Sequence, residues 1–180
     1  MGVRLGEYHS VNDTDCVWEH GIQECSDPVM DYTVNKTIIH PNYYKTARLN
    51  DITLLRLNGE IEGYSDYIRP ICLPFSGTKF ANIGDTVTIS GWAELISTEN
   101  CGKSYKTFNI TENHLCTMTL NNSTDQSCKG DAGGPVMLSH RLQWHQEGIV
   151  SFGYGCGPEF PNGHTRVQKY LEWIEENIHP

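Results

Sequence analysis

Apolar and polar residues alternate over Val3-Arg4-Leu5-Gly6-Glu7-Tyr8, a period-two pattern that predicts a half-buried strand ending in a turn. Tyr32 to Tyr43 is rich in β-branched and aromatic residues and closes at Pro41, which predicts a second strand. An apolar strand follows Asp51 in Ile52-Thr53-Leu54-Leu55-Arg56-Leu57, and Gly84 to Trp92 alternates up to its Gly-Trp pair. The period changes near the end. Val167, Tyr170, Leu171, Ile174 and Ile178 recur at helical spacing, which predicts an amphipathic helix with its glutamates on the open face. Glu172, Glu175 and Glu176 then form a solvated face rather than a site.

Length and charge narrow the class. At 180 residues the chain is at most one domain, or part of a larger one. A formal net charge of −9, spread along the chain, argues against broad affinity for nucleic acid or anionic membranes. No apolar run approaches the roughly 20 residues of a membrane span, and Met1-Gly2-Val3-Arg4 lacks the apolar core of a signal peptide. Seven cysteines accompany five Asn-x-Ser/Thr sequons, at Asn12, Asn35, Asn109, Asn121 and Asn122. Together they indicate an oxidising, extracellular compartment and glycosylation. The expectation is the interior and C-terminal part of a secreted protein, cut short at its front.

One stretch carries a specific chemistry. Ser127-Cys128-Lys129-Gly130-Asp131-Ala132-Gly133-Gly134-Pro135 resembles the nucleophile loop of trypsin-like serine proteases, whose pattern is Gly-Asp-Ser-Gly-Gly-Pro. Glycines suit a sharp turn that aims two N–H groups at one developing oxyanion. The resemblance gives Gly130 and Ala132 those amides, but Ala132 stands where the nucleophilic serine belongs. Without a hydroxyl it cannot attack a carbonyl by the covalent route. The bland alternative is a tight Gly-rich turn.

Other motifs lie in the order the family implies. Asn50-Asp51-Ile52-Thr53-Leu54-Leu55 resembles the strand bearing the triad aspartate, which places Asp51 there. A lone Asp before an apolar strand is otherwise a cap or turn residue. Val3–Tyr8 resembles the strand that follows the catalytic-histidine segment of the arthropod clip-domain serine proteases. No Ala-Ala-His-Cys-like run occurs in this sequence, so Asp51 is expected to be a family relic or a structural acceptor. The resemblance implies an all-β fold, the chymotrypsin-like double antiparallel barrel with a C-terminal helix. The domain spans 1–180: 1–74 is the remainder of an incomplete first barrel, 84–165 the second barrel and 166–178 the helix. Between Trp92 and Cys101 the family places a surface loop and most of a strand that this chain lacks. That shortening is expected to leave an unpaired strand edge. Ser97 or Thr98 fits as the cap of the short helix expected before Cys101.

The resemblance also implies disulfides Cys16–Cys25, Cys101–Cys116 and Cys128–Cys156, leaving Cys72 unpaired or bridged to another chain. A metal at the first pair would need more ligands than Glu19, His20 and Glu24 provide. Glu7 matches the first carboxylate of the family's calcium loop, but a cysteine-bounded insertion replaces the rest. Neither metal nor cofactor is expected. Gln126 falls at the floor of the primary specificity pocket, where a trypsin-like enzyme has aspartate, and a neutral Gln cannot pair with a buried cation. Ser151-Phe152-Gly153 resembles the strand that holds the substrate backbone. Asn162 replaces a glycine of the pocket wall, unless both polar changes are ordinary loop variation. Asp131 would, in the family, pair with a freed N-terminus, so a zymogen-like pocket is expected.

The sequence is thus identified as a trypsin-like serine protease homologue that does not cleave peptides. The resemblance implies a secreted cofactor or regulator in an arthropod immune cascade such as prophenoloxidase activation. Its partners would be cascade proteases or their substrates. Two alternatives stay open: a serine-type endopeptidase in a truncated or engineered inactive form, and a degenerate fragment without function.

Overall fold

The computed structural model describes residues 1–8, 14–75, 80–89, 91–120, 130–154 and 159–179. They fall into two compact units, Met1–Ile38 with Thr53–Pro70, and Ile39–Ile52 with Ile71–Pro180. The segment carrying Asp51 therefore groups with the second unit, although the sequence division at residue 74 assigned it to the first.

In the first unit, β1 (Gly2–Leu5), β4 (Met30–Ile39) and β5 (Thr53–Leu57) form a sheet in the order β1-β4-β5. Arg4 fastens β1 to β4, donating from Nε and Nη2 to the two carboxylate oxygens of Asp31, both at 2.9 Å. Between these strands the chain projects a hairpin, β2 (Cys16–Glu19) against β3 (Ile22–Cys25). Its two-residue loop, His20 and Gly21, has φ of 51° and 81°. A positive φ at both central residues is the type I′ condition that matches strand twist. Cys16 and Cys25 stand opposite one another in the register and are joined by a disulfide.

The second unit is built on a closed barrel of six strands: β6 (Thr86–Thr88), β7 (Trp92–Ile96), β8 (His114–Thr119), β9 (Pro135–His140), β10 (Gln143–Phe152) and β11 (Asn162–Arg166). Its interior packs Val87, Ala93, Leu95, Leu115, Val136, Leu138 and Val150. Among the described residues, β7 is not the open edge that was expected. β7 pairs with β6 on one side and with β8 on the other, through Ala93↔Thr119 to Ile96↔Cys116. One strand serves both neighbours, so the shortened segment still satisfies its backbone.

After β7 comes helix α1 (Thr98–Gly102), capped by Ser97, whose Oγ accepts the Asn100 N–H at 3.1 Å. Cys101 is bonded to Cys116 and buried with Tyr105, beside Phe108, Ile110 and Phe152. The predicted terminal helix forms in two pieces. A 3-10 turn over Val167–Tyr170 leads into helix α2 (Leu171–Ile178). Val167, Tyr170 and Ile174 are buried as the spacing required, but Ile178 is 55% exposed because the chain ends its packing one turn earlier. Among the described residues, no helix is long and apolar enough to cross a membrane.

Candidate functional site around the end of β10

The nucleophile-loop residues turn tightly before entering β9. The Gly134 N–H donates to the Asp131 carbonyl at 2.9 Å, and a Cβ on Gly134 would lie 2.9 Å from that same oxygen. Gly130 and Gly133 hold φ of 118° and 91°, where a side chain is strained. Two bonds fasten this turn to β10: Gly133 N–H to the Val150 carbonyl at 2.8 Å, and Val150 N–H to the Gly134 carbonyl at 2.9 Å. Ala132 is exposed at its apex. Beside it lies a cavity of about 260 Å³ lined by Ile89, Gly130, Asp131, Ala132, Gly134 and Pro135.

One residue along β10 from Val150, the Ser151 hydroxyl donates to the Asp51 carboxylate at 2.5 Å. The Asp51 carbonyl accepts from the Thr165 hydroxyl at 2.8 Å. Its neighbours are held as firmly. Asn50, at φ 55°, accepts from the Tyr170 hydroxyl at 3.0 Å, and Ile52 is buried. The fold therefore gathers Asp51, Ser151 and the Ala132 turn around one stretch of β10.

The next residues along β10 are tightly packed. Asn162, 5% exposed, lies across from Gly153, and a Cβ on Gly153 would meet its Oδ1 at 2.2 Å. The Phe152 ring covers Gly163, where a Cβ would come within 2.1 Å of ring carbons. Phe152 also packs edge-on against Tyr105, Phe108 and His114. Gln126, Cys128 and Cys156 lie outside the described residues, as do Asn12, Asn121 and Asn122; Asn35 and Asn109 are exposed. The Cys72 thiol is free and half-buried.

Three of the described histidines have partners of their own. His114 accepts the Thr111 N–H at Nδ1, 3.0 Å, so its Nε2–H donates to the Arg48 carbonyl, also 3.0 Å. His164 is fully buried with Nε2 2.8 Å from the Thr117 hydroxyl, and burial pushes its pKa down to about 3. His40 packs against the rings of Tyr170 and Trp173, and burial lowers its pKa. The group that reaches the Asp51 carboxylate is a serine hydroxyl rather than an imidazole. Nothing in the Asn162-Gly163-His164-Thr165-Arg166 run announces burial of His164, and its partner lies 47 residues away.

A family model described as Trypsin matches residues 8–174. The chain belongs to the trypsin family. The CLIP domain-containing serine protease B9 of Anopheles gambiae is 34% identical over 99% of this chain and 48% of its own length. Melanization protease 1 of Drosophila melanogaster is 37% identical over 98% of this chain and 51% of its own. Phenoloxidase-activating factor 1 of Holotrichia diomphalia is 34% identical over 99% and 53%. The chain thus spans about half the length of these curated relatives. The Drosophila alignment runs to 206 positions against a chain of 180 residues, so that relative carries residues this chain lacks.

Proposed function

We propose that this trypsin-family chain binds rather than cleaves, acting as a secreted, non-catalytic regulator in an arthropod proteolytic cascade. The observation that carries this reading is Ala132 at the apex of an otherwise intact nucleophile turn. The turn is bonded to β10 and Asp51 to Ser151, while Ala132 lacks the oxygen that would form an acyl-enzyme. Loss of the nucleophile alone costs about a million-fold in turnover in a triad enzyme. Asn162 beside Gly153 supports the same reading, since it occupies space a substrate side chain would need. The names of the relatives point to melanization and phenoloxidase activation as the setting, with cascade proteases or their substrates as protein partners. In this reading residues 1–74 belong to a first barrel and 84–165 to a second, and Asn35 and Asn109 carry glycans.

The Asp51–Ser151 hydrogen bond favours a second reading, an endopeptidase seen in an inactive form. Fluorophosphonate labelling of the oxidised chain and of Ala132→Ser separates the two. A non-catalytic protein leaves both unlabelled, because a serine hydroxyl needs a positioned base to become a nucleophile. Labelling of the variant at residue 132 would favour the second reading, and labelling of the unaltered chain would overturn the proposal.

A further inference from the structure

The first unit holds a cavity of about 350 Å³ between the turn after β1 and the disulfide-closed hairpin, lined by Glu7, Tyr8, Asp15, Val17, Glu24 and Tyr67 among others. Among the described residues, none of those lining it is cationic. Arg4, the nearby base, is committed to both oxygens of Asp31 and to Oε2 of Glu7 at 3.2 Å. Among the described residues, Oε1 of Glu7 has no hydrogen-bond partner. Glu7 thus lines the cavity with a carboxylate that meets Arg4 through one oxygen, and Glu24 and Asp15 add acidic groups to the same lining.

The hairpin beside the cavity extends the same chemistry. Opposed residues in the register, and residues two apart, share a face, so Val17, Glu19, Ile22 and Glu24 lie together. Val17 and Ile22 are 58% and 70% exposed, which leaves two apolar side chains and two carboxylates side by side on one open surface. The surface is also held in shape. Ser26 N–H donates to the Asp15 carbonyl at 2.7 Å, Tyr8 N–H to the Asp15 carboxylate at 3.2 Å, and the Tyr67 hydroxyl to the Cys25 carbonyl at 3.2 Å. With the Cys16–Cys25 bond, these contacts reduce the ordering cost of binding.

We propose that this cavity and hairpin face form a docking site for a partner polypeptide, with one Lys or Arg side chain entering beside Glu7 and Glu24. Flanking apolar residues of that segment cover Val17 and Ile22. Charge complementarity selects the occupant: an acidic recess with Tyr8 and Tyr67 at its walls takes a basic side chain with an aliphatic stem. The site lies in the unit that does not contain Ala132, and it stands whether or not the chain cleaves peptides.

The test is a titration of the ¹⁵N-labelled, oxidised 180-residue chain with acetyl-Leu-Arg-Val-amide, and with acetyl-Leu-Gln-Val-amide as the neutral control. The arginine peptide should shift the amides of Gly6–Tyr8, Val17 and Glu24 at about millimolar concentration. The glutamine peptide should bind about tenfold more weakly, and added salt should weaken the arginine peptide. Glu24→Gln, an exposed change that spares the Arg4 contacts, should also cost about tenfold. Equal binding of the two peptides, no effect of Glu24→Gln, or shifts confined to other residues would overturn the proposal. So would displacement of the peptide by equimolar calcium, which would make this a metal site.

Discussion

The Ser151 hydroxyl donates to the Asp51 carboxylate at 2.5 Å across 100 residues of sequence. A hydrogen bond to a charged acceptor is stronger than a neutral one, and leaving that acceptor without its donor costs more than the bond itself contributes. Ser151→Ala should therefore destabilise the second unit by about 2 kcal/mol. The check is a denaturant midpoint read for Ser151→Ala, Asp51→Asn and the double variant. If the two effects simply add, the pair is not coupled and this account of Asp51 fails.

Asn162 and Gly153 offer a sharper test of the packing at the end of β10. Gly153→Ala places a methyl group on Asn162 Oδ1, so it should cost about 1–3 kcal/mol through overpacking. Asn162→Gly in the same chain should return most of that loss. Thermal melts of the single and double variants decide it, and a harmless Gly153→Ala would mean that Asn162 does not occupy the space.

His164 should make the fold sensitive to acid. Its folded pKa of about 3 lies below the ordinary 6.5, so the folded chain binds fewer protons than the unfolded one between those values. Stability from this residue is complete above pH 6.5 and is lost as pH falls toward 3. Between pH 7 and pH 4 the loss is roughly 3 kcal/mol. His164→Gln, which retains a partner for Thr117, should flatten that slope in urea titrations at successive pH values.

Glu147 acts in the opposite direction. It is 4% exposed with Oε1 unpartnered, and burial pushes its pKa above the ordinary 4.5, against the opposing pull of the Ala81 N–H and the His145 and Arg166 charges. A raised carboxyl pKa means the folded state holds the extra proton, so stability falls as pH rises from 4.5 through the folded value. Glu147→Gln keeps an acceptor for Ala81 and removes the charge. Its melting temperature at pH 7 should rise by a few degrees, and an unchanged or lower value would contradict the sign.

Leu142 is wholly exposed at φ 63°, in the two-residue turn that joins β9 to β10. Left-handed backbone costs a branched L-residue about 1–2 kcal/mol that glycine does not incur. Leu142→Gly should stabilise the chain by about 1 kcal/mol after the entropy of glycine is allowed for. A calorimetric melt tests this directly.

Elements of both units were legible from local pattern. Alternation marked β1 and the run toward Trp92, and Ser97 before Thr98–Gly102 fitted the preference of helix N-termini for a hydroxyl. The Gly-Asp-Ala-Gly-Gly-Pro run pointed to the family, because its glycines answer backbone demands that can be read without neighbours. Pattern over-reached at Ile178, where helical spacing persists after the packing has ended.

What only tertiary structure decided is where distant groups meet. No periodicity announces that β7 pairs on both sides, so the feared open edge was resolved by barrel closure. The donor to Asp51, the partner of His164 and the neighbour of Gly153 are set by strands brought together from far along the chain. The unpaired oxygen of Glu7 appears only once Arg4 has been drawn to Asp31. Chemistry at a single position is carried by residue type, but burial and hydrogen bonding depend on what the fold places opposite.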